Sequence, residues 1–285
     1  MKNLPFALLS LSLSLFALAG CRPNEAQPVG AEELAIGGLE DDAEASQASL
    51  DASELAIGGS AFAFGGDAGC TATVTGADEI AVCSRTVPGT RTVAWSCTAP
   101  NGSSVSGAAT VVTTVIDDSA CPSVAIRHDV SFSRLRAAGD ITAELEGTSQ
   151  VDLVLDSANR TAQRTVALDV TRRVHRNDDL IRDQRLTGER VADLAANAIG
   201  PADDTRTVNG NVTVEFLLTD AQLDIGATDL LWRRECCHPV GGRIDWLFSG
   251  ENEGSGSLRF GPTCGLALRA DDSEVTLHPC PNFAN

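Results

Sequence analysis

From Cys70 onward, apolar and polar residues alternate with a period of two, which is the pattern of strands that bury one face. In segment 124–132 one phase is apolar and the other is polar. The apolar phase holds Val124, Ile126, Val130 and Phe132, and the polar phase holds Arg127, Asp129 and Ser131. The same alternation returns in four later segments, at 151–155, 166–171, 212–216 and 244–248. The pattern predicts sheets with one face in a core and one face in water.

Short turn signals separate these segments, among them Pro100-Asn101-Gly102, Ala138-Gly139-Asp140, Asn177-Asp178-Asp179 and Asn209-Gly210. Strands joined by short turns predict an antiparallel meander, here of roughly a dozen strands. We therefore expect an all-β fold that forms one large antiparallel sheet, a sandwich or a partly closed barrel. Residues 186–199 are the one stretch of this region that could form a short helix, before Gly200-Pro201.

Residues 22–66 have a different composition. They are poor in large apolar side chains and carry nine acidic residues against the single Arg22. Such a stretch buries too little surface to offset the entropy of ordering it, so we expect a flexible acidic tether. It contains a near-duplication 21 residues apart, at 33–38 and 54–59, which is either a repeated linker or a docking motif presented twice. The predicted organisation is a leader at 1–20, a tether at 21–66 and a β domain at 67–285.

The first twenty residues have the three-part layout of an export signal, with Lys2, an apolar run from Leu4 to Leu18 and small residues at the end. The run is shorter than the ~20 residues that a membrane-spanning helix needs. It ends in Leu18-Ala19-Gly20-Cys21, which resembles the lipobox of bacterial lipoproteins. The resemblance implies cleavage before Cys21, lipid attachment to its thiol and a membrane anchor made of acyl chains. An ordinary secretory peptide and a spanning helix are the alternatives.

Arg22 occupies the position at which the sorting rule of such lipoproteins places Asp for retention at the inner membrane. The resemblance therefore implies a lipid-anchored protein of the cell envelope, sorted to the outer membrane. It does not fix whether the domain faces the periplasm or the outside.

The formal net charge is −18 at pH 7, and the one lysine, Lys2, lies in the leader. Phosphate binding needs a basic surface that releases counterions. We therefore expect no nucleic-acid ligand.

Eight cysteines follow Cys21, in two groups of four: Cys70, Cys83, Cys97 and Cys121, then Cys236, Cys237, Cys264 and Cys280. An even number in an exported chain predicts disulfides, most simply within each group. Neighbouring residues of a strand project to opposite faces, so Cys236 and Cys237 should reach different partners, such as Cys264 and Cys280. The alternatives are a vicinal bond between Cys236 and Cys237, and a tetrahedral zinc site with ligands from Cys236, Cys237, His238, His278 and Cys280. We favour disulfides, and expect no metal and no cofactor.

The C-terminal third holds three further elements: Arg206-Thr207-Val208-Asn209-Gly210, Cys236-Cys237-His238-Pro239-Val240-Gly241-Gly242 and Phe260-Gly261-Pro262-Thr263-Cys264. They resemble a closing β module of exported, β-rich bacterial lipoproteins. The resemblance covers about 75 residues and implies no activity.

No hydrolase or zinc-protease signature such as G-x-S-x-G or H-E-x-x-H occurs in the sequence. His128 lies in the apolar phase of its strand, and we expect a hydrogen-bonded histidine of the core or its rim. The pairs Asp178-Asp179, Asp203-Asp204 and Asp271-Asp272 lie at turns and are expected to be solvated. We expect no catalytic residues and a non-enzymatic structural or interaction module. The alternatives are a carrier of an apolar ligand in a concave sheet, and a hydrolase with His128 or His175 beside a carboxylate.

Overall fold

The computed structural model describes residues 35, 37–38, 45–46, 48–49, 52–53, 56, 69–83, 85–98, 102–121, 123–155, 161–194, 205–233, 236, 238–250 and 253–277. Within these ranges the chain forms fifteen strands: β1 Gly69–Thr75, β2 Glu79–Val82, β3 Arg85–Pro88, β4 Arg91–Thr98, β5 Ser104–Asp117, β6 Val124–Ala138, β7 Ile141–Leu155, β8 Thr161–Arg176, β9 Asp179–Leu194, β10 Thr205–Phe216, β11 Ala221–Arg233, β12 Gly241–Ser249, β13 Gly254–Phe260, β14 Leu266–Arg269 and β15 Glu274–Thr276. The predicted all-β class is confirmed.

Thirteen of these strands form one antiparallel sheet in the order β1-β4-β5-β6-β7-β8-β9-β10-β11-β12-β13-β14-β15. The remaining two, β2 and β3, form a separate hairpin between β1 and β4. Nearly every strand thus pairs with its neighbours in sequence, which is the predicted meander. Among the expected forms, the structure is a single large sheet that does not close, with β1 and β15 as its edges.

The short helix expected within 186–199 is wrong for the described residues, because positions 186–194 belong to β9. Leu186 lies opposite Val170 of β8 on one side and Val214 of β10 on the other. Pairing on both sides satisfies the backbone of β9 and buries Leu186 completely. Tertiary pairing therefore overrides the weak local preference for a helix.

Three glycines in the middle of the sheet lie against neighbouring strands with no room for a side chain. Gly147, Gly188 and Gly210 have φ angles of 152°, 151° and 139°, which side chains rarely adopt. A Cβ atom added at Gly188 would lie 2.2 Å from the carbonyl oxygen of Asn211 on the neighbouring strand, and the other two positions are equally tight. Glycine kinks of this kind give a sheet its curvature. The face of the sheet that carries the buried side chains is here called the inner face.

The inner face carries the core. In β6 every second residue from Val124 to Phe132 is buried, and the residues between them are partly or fully exposed. The apolar phases recognised in the sequence at 151–155, 166–170 and 212–214 lie on this same face. The opposite face, here called the outer face, carries the charged phase.

Helical residues cover part of the inner face. Ala45, Ala48, Ala52 and Ala56 are helical, at most 3% exposed and part of the same apolar core as the sheet. Their spacing of three or four residues is that of one helix face. We call the described residues 45–46, 48–49, 52–53 and 56 the covering segment.

Two contacts fix where this part of the chain meets the sheet. The Oγ atoms of Ser49 and Ser149 in β7 lie 2.5 Å apart, at hydrogen-bond distance. A Cβ added at helical Gly38 would lie 2.9 Å from side-chain atoms of Leu223 and Ile225 in β11. Small side chains let a helix lie this close to a sheet. The described residues between 35 and 56 are thus helical and lie against the sheet, and the flexible tether at 21–66 stays a prediction.

The described disulfides each join two cysteines of one predicted group. Cys83 bonds to Cys121, and Cys236 bonds to Cys264, with Cα–Cα distances of 5.6 Å and 5.7 Å. Cys97 is also disulfide-bonded, and it lies opposite Cys70 in the β1–β4 ladder. Cys237 and Cys280 lie outside the described residues, as does Cys21. No helix within the described ranges is long and apolar enough to cross a bilayer.

Candidate functional site

The C-terminal Asn209-Gly210 and Gly241-Gly242 elements lie on either side of a bulge in β11. The Asn209 Oδ1 atom accepts a 2.8 Å hydrogen bond from the Asp229 amide, at the point where the register of β11 shifts. Asp229 has a φ of 49°, and a Cβ added at Gly242 would lie 2.2 Å from its carbonyl oxygen. The Asn-Gly and Gly-Gly elements thus support the bulge from β10 and β12.

The cysteines of this module also have a structural role. The Cys236–Cys264 bond ties the β11–β12 connection to the β13–β14 connection. Cys236 is consequently not available as a zinc thiolate, which contradicts the alternative zinc site at that position. Within the described part of the chain, no group of three His, Cys, Asp or Glu side chains is placed to hold a metal ion.

The outer face is lined by cross-strand ion pairs. Arg127 donates two 2.7 Å hydrogen bonds to both carboxylate oxygens of Asp152, which lies directly opposite it. Hydrogen bonds from Arg185 at 2.9 Å and 3.0 Å lower the pKa of Asp169, and the arginine's charge lowers it further. The Asp152 carboxylate raises the pKa of Arg127. Such partly exposed pairs satisfy the polar phase of each strand.

A shallow depression of about 580 Å³ lies on this outer face above the Gly147 kink. Its walls include Thr110, Thr148 and two carboxylates, Glu146 and Asp169. Both carboxylates are engaged by arginines, Glu146 by Arg173 at 2.6 Å and Asp169 by Arg185. The depression therefore presents hydroxyl groups and neutralised acids.

The turn pair Asp271-Asp272 is ordered by its neighbours. Asp271 Oδ1 accepts hydrogen bonds from the Ser273 hydroxyl at 2.6 Å and the Ser273 amide at 3.0 Å, which together lower the pKa of Asp271. Asp272 pairs with Arg259 of β13. These acids hold the β14–β15 hairpin, whereas Asp203-Asp204 lie outside the described residues.

The inner face holds polar side chains that lack hydrogen bonds. His128 is 0% exposed, and neither ring nitrogen has a hydrogen-bond partner among the residues that the structure describes. The Thr113 hydroxyl and the Gln184 carbonyl oxygen also have no hydrogen-bond partner among these residues, and their side chains belong to residues that are 6% and 1% exposed. His128 is thus a core residue as expected, but the expected hydrogen bonds are not found.

Burial determines the ionisation of His128. Loss of hydration lowers its pKa from 6.5 to about 4, against a smaller opposing effect of the Asp129 charge. The imidazole is therefore neutral at pH 7, with one N–H donor and one acceptor nitrogen. It lies in no open cleft, and its geometry does not support the composite hydrolase site.

The ladder register fixes the surroundings of His128. Thr113 of β5 lies directly opposite it on one side, and Val151 of β7 on the other. The same row continues through Val166 to Arg190, which is 5% exposed. Thr113 and His128 therefore lie side by side at one end of a row across the sheet, and the buried guanidinium of Arg190 lies at the other end.

The helical cover adds two more unsatisfied hydroxyl groups. Ser46 and Ser53 lie about one turn before and after Ser49, and their Oγ atoms are buried with no partner in the described ranges. Burial of His128 was predicted from the sequence, whereas burial of Thr113, Ser149 and Gln184 was not. The available signal was a polar residue in the apolar phase of a strand, which applies to all of them.

The two edges of the sheet differ in length and charge. In β1, residues Thr71 to Thr75 are all exposed and carry no charge. In contrast, β15 has only three residues, includes Glu274 and follows Asp271-Asp272. A long uncharged edge is open to pairing with another strand, and a short charged edge resists it.

Comparison of the chain with protein-family models, characterised proteins and solved structures finds no significant match.

Proposed function

We propose that the chain is a lipoprotein of the cell envelope, cleaved before Cys21 and held at the outer membrane by acyl chains on that cysteine. The apolar leader and the lipobox-like Leu18-Ala19-Gly20-Cys21 support this anchor, and Arg22 supports outer-membrane sorting. Acyl chains hold a protein firmly when two or more are attached, because each buried methylene contributes ~0.8 kcal/mol.

The domain carried by this anchor is a non-catalytic interaction module that binds a partner by strand addition at β1. The observation that carries this proposal is the contrast between the two edges. Main-chain hydrogen bonds along an exposed strand provide affinity, and flanking side chains provide specificity. Every described side chain of β1 is exposed, so a partner strand can approach without displacing any part of the sheet.

The partner is an extended protein segment with basic flanks. The net charge of −18 repels a second copy of the chain and attracts cations over long range. At the uncharged β1 edge, a partner strand can pair without placing its charges beside like charges of this chain. We thus expect β1 to pair with a different protein rather than with a second copy of the chain.

The alternative function is a carrier of an apolar ligand in the concave sheet. An open apolar concavity would favour the carrier, and a filled inner face favours the module. Ala45, Ala48, Ala52 and Ala56 pack into the inner face, which supports the module for this arrangement of the chain.

Replacement of Cys21 tests the anchor. Cys21→Ala removes the lipidated thiol, so the variant should leave the membrane fraction and lack the mass of the acyl groups in intact-protein mass spectrometry. Arg22→Gln, which keeps the thiol, should remain acylated and in the membrane fraction. Membrane association of Cys21→Ala would show that the anchor assignment is wrong.

A photo-crosslinking side chain at Thr73 tests the β1 edge in the intact envelope, and the same side chain at Thr276 in β15 is the matched control. We expect an adduct from position 73, but not from 276, and expect Val74→Lys to weaken it. An adduct whose mass is twice that of the chain would indicate a homodimer and overturn the proposed partner. Equal adducts from both edges, or none from position 73, would overturn the proposal of strand addition.

A further inference from the structure

We propose that the outer face binds a neutral, extended glycan along a row of exposed hydroxyl side chains that crosses the sheet from β4 to β8. This goes beyond the proposed function, because it concerns the outer face and not the β1 edge. Three observations support it: the row itself, the depression in which the row lies, and two carboxylates that arginines hold in place.

The first observation is that the strand register aligns polar side chains across the outer face. The residues that lie opposite one another from β4 to β8 are Thr92, Thr110, Ser131, Thr148 and Asp169. We call these five residues the hydroxyl row, and all of them are exposed. Neighbouring strands lie about 4.8 Å apart, so the row presents one polar group per strand over about 19 Å.

The second observation is that the hydroxyl row lies in the outer-face depression of about 580 Å³, which all five of its residues line. The adjacent row of opposite residues also lines it: Ala108, Ser133, Glu146 and Thr171. On the other side of the hydroxyl row, the Gln150 amide donates a 3.0 Å hydrogen bond to Asp129, which lies opposite it. Most side chains in the depression are short, and longer ones border it, as a concave binding site requires.

The third observation is that two arginines hold the carboxylates of the depression in place. Arg173 donates to Glu146 at 2.6 Å, and Arg185 donates to both oxygens of Asp169. A carboxylate has about four lone-pair sites, so each still has acceptors for the hydroxyl groups of a ligand. Each acid is paired with an arginine, and the net charge of −18 repels anions. The depression therefore favours an uncharged ligand that is rich in hydroxyl groups.

The spacing of the hydroxyl row favours a glycan over a peptide. Side chains on one face of an extended peptide recur at about 6.6 Å, which is twice the rise of a strand residue. The sugar units of an extended 1,4-linked glycan recur at a distance close to that between strands. Phe132, the aromatic residue that lines the depression, is only 5% exposed. The site would thus hold sugars by their hydroxyl groups rather than by stacking on a ring.

The same row continues beyond β8. Asp169 lies opposite Thr187 of β9, which lies opposite Thr213 of β10. The Thr213 hydroxyl donates a 2.6 Å hydrogen bond to Asp224 of β11, and both residues line a second depression of about 330 Å³. A longer glycan can therefore follow the row from the first depression to the second.

Isothermal titration calorimetry with cellohexaose and chitohexaose, two neutral 1,4-linked hexasaccharides, tests the site. The full chain is purified in a detergent without a sugar headgroup, so that the detergent does not compete. We expect saturable binding of at least one of the two, and weaker binding of an alginate hexamer, which is anionic. Absence of saturable binding by both neutral glycans, or tighter binding of alginate, would overturn the inference.

The double variant T110V/T148V removes two hydroxyl groups from the row and keeps the shape of the side chains. It should bind the neutral hexasaccharide at least tenfold more weakly than the parent. The matched control is T114V/T142V, which makes the same change on the outer face of the same two strands at positions that do not line the depression. It should bind like the parent. Parent-like binding by T110V/T148V, or an equal loss in both double variants, would refute the role of the row.

Chemical-shift mapping by NMR locates the site without a variant. Binding should move the amide signals of Thr110, Ser131 and Thr148 and leave those of β13 unchanged. Shifts that spread equally to β13, or that are missing from β5 to β7, would show that the glycan does not bind at the row. Val74→Lys on β1 should bind the glycan like the parent, so the glycan site and the β1 edge can fail independently.

Discussion

The two faces of the sheet treat polar side chains in opposite ways. On the outer face, Arg127 and Asp152 are paired by two hydrogen bonds although water could satisfy them. On the inner face, the Thr113 hydroxyl, both His128 ring nitrogens and the Gln184 carbonyl oxygen are shielded from water and have no hydrogen-bond partner among the described residues. These inner-face groups need partners more than the exposed ion pair does, because no water reaches them.

The polar groups of the two faces differ in their effect on the stability of the fold. Exposed ion pairs contribute little to stability, and they keep the outer face soluble and in register. Unsatisfied buried groups lower stability, so a chain that keeps them carries a cost that packing must offset. The inner face therefore provides most of the fold's stability through its apolar core, and it also holds the buried polar groups that lack hydrogen bonds.

The largest effect is expected from filling a glycine kink of the inner face. In Gly188→Ala the new Cβ would lie 2.2 Å from the Asn211 carbonyl oxygen, at a φ of 151° that alanine rarely adopts. Backbone strain and a forced shift of β10 should cost more than about 4 kcal/mol, enough to prevent folding of a marginal variant. Urea unfolding followed by far-UV circular dichroism measures the loss.

The matched control for this variant is Gly261→Ala. No atom lies within 4 Å of its added Cβ, so its unfolding midpoint should stay close to that of the parent. A small loss in Gly188→Ala, similar to that of Gly261→Ala, would mean that the kink does not shape the inner face.

The alternation of residues was enough to predict the class, the meander and the face on which most side chains lie. Val130 and Asp129, for example, are on the faces that the pattern indicates. The covering segment was not predictable from composition, because alanine and serine offer too little apolar area to suggest a core. Only the sheet supplies the complementary surface. At helical Gly38, which precedes the covering segment, Leu223 and Ile225 likewise leave no room for a Cβ.

The sequence was enough to predict that His128 is buried, but not that it lacks a hydrogen-bond partner. His128 stands in an apolar phase, which indicates burial. Whether a buried group finds a partner depends on which side chain faces it, and Thr113 is 15 residues away in sequence, on the preceding strand. The sequence likewise predicts disulfides within each group of four cysteines, and the strand connections bring Cys236 to Cys264.

A smaller effect is expected from acid acting on His128. Its folded pKa of about 4 lies below the unfolded 6.5, so the unfolded chain binds the extra proton first. Stability that is fully present above pH 6.5 is therefore lost as the pH falls toward 4, by about 3 kcal/mol. His128→Leu should remove this loss, which thermal unfolding between pH 7 and pH 4 measures.

His175→Gln, on the outer face, controls for the removal of a histidine and should keep the parental pH dependence. An equal loss of stability in His128→Leu and in the parent between pH 6.5 and pH 4 would show that His128 is not the group that titrates. His128 would then not serve as the inner-face example of a buried polar group that lowers stability.

The smallest effect is expected on the outer face, from the Arg127–Asp152 pair. Its side chains are 38% and 31% exposed, so water replaces much of what the pair provides. The coupling energy from a double-mutant cycle with Arg127→Gln and Asp152→Asn should be the smallest of the three effects, and should fall as salt screens the charges. A coupling energy as large as the effect of His128, and insensitive to salt, would mean that the pair behaves as a buried one. In that case the outer face would contribute to stability as the inner face does, and the contrast between them would be one of chemistry alone.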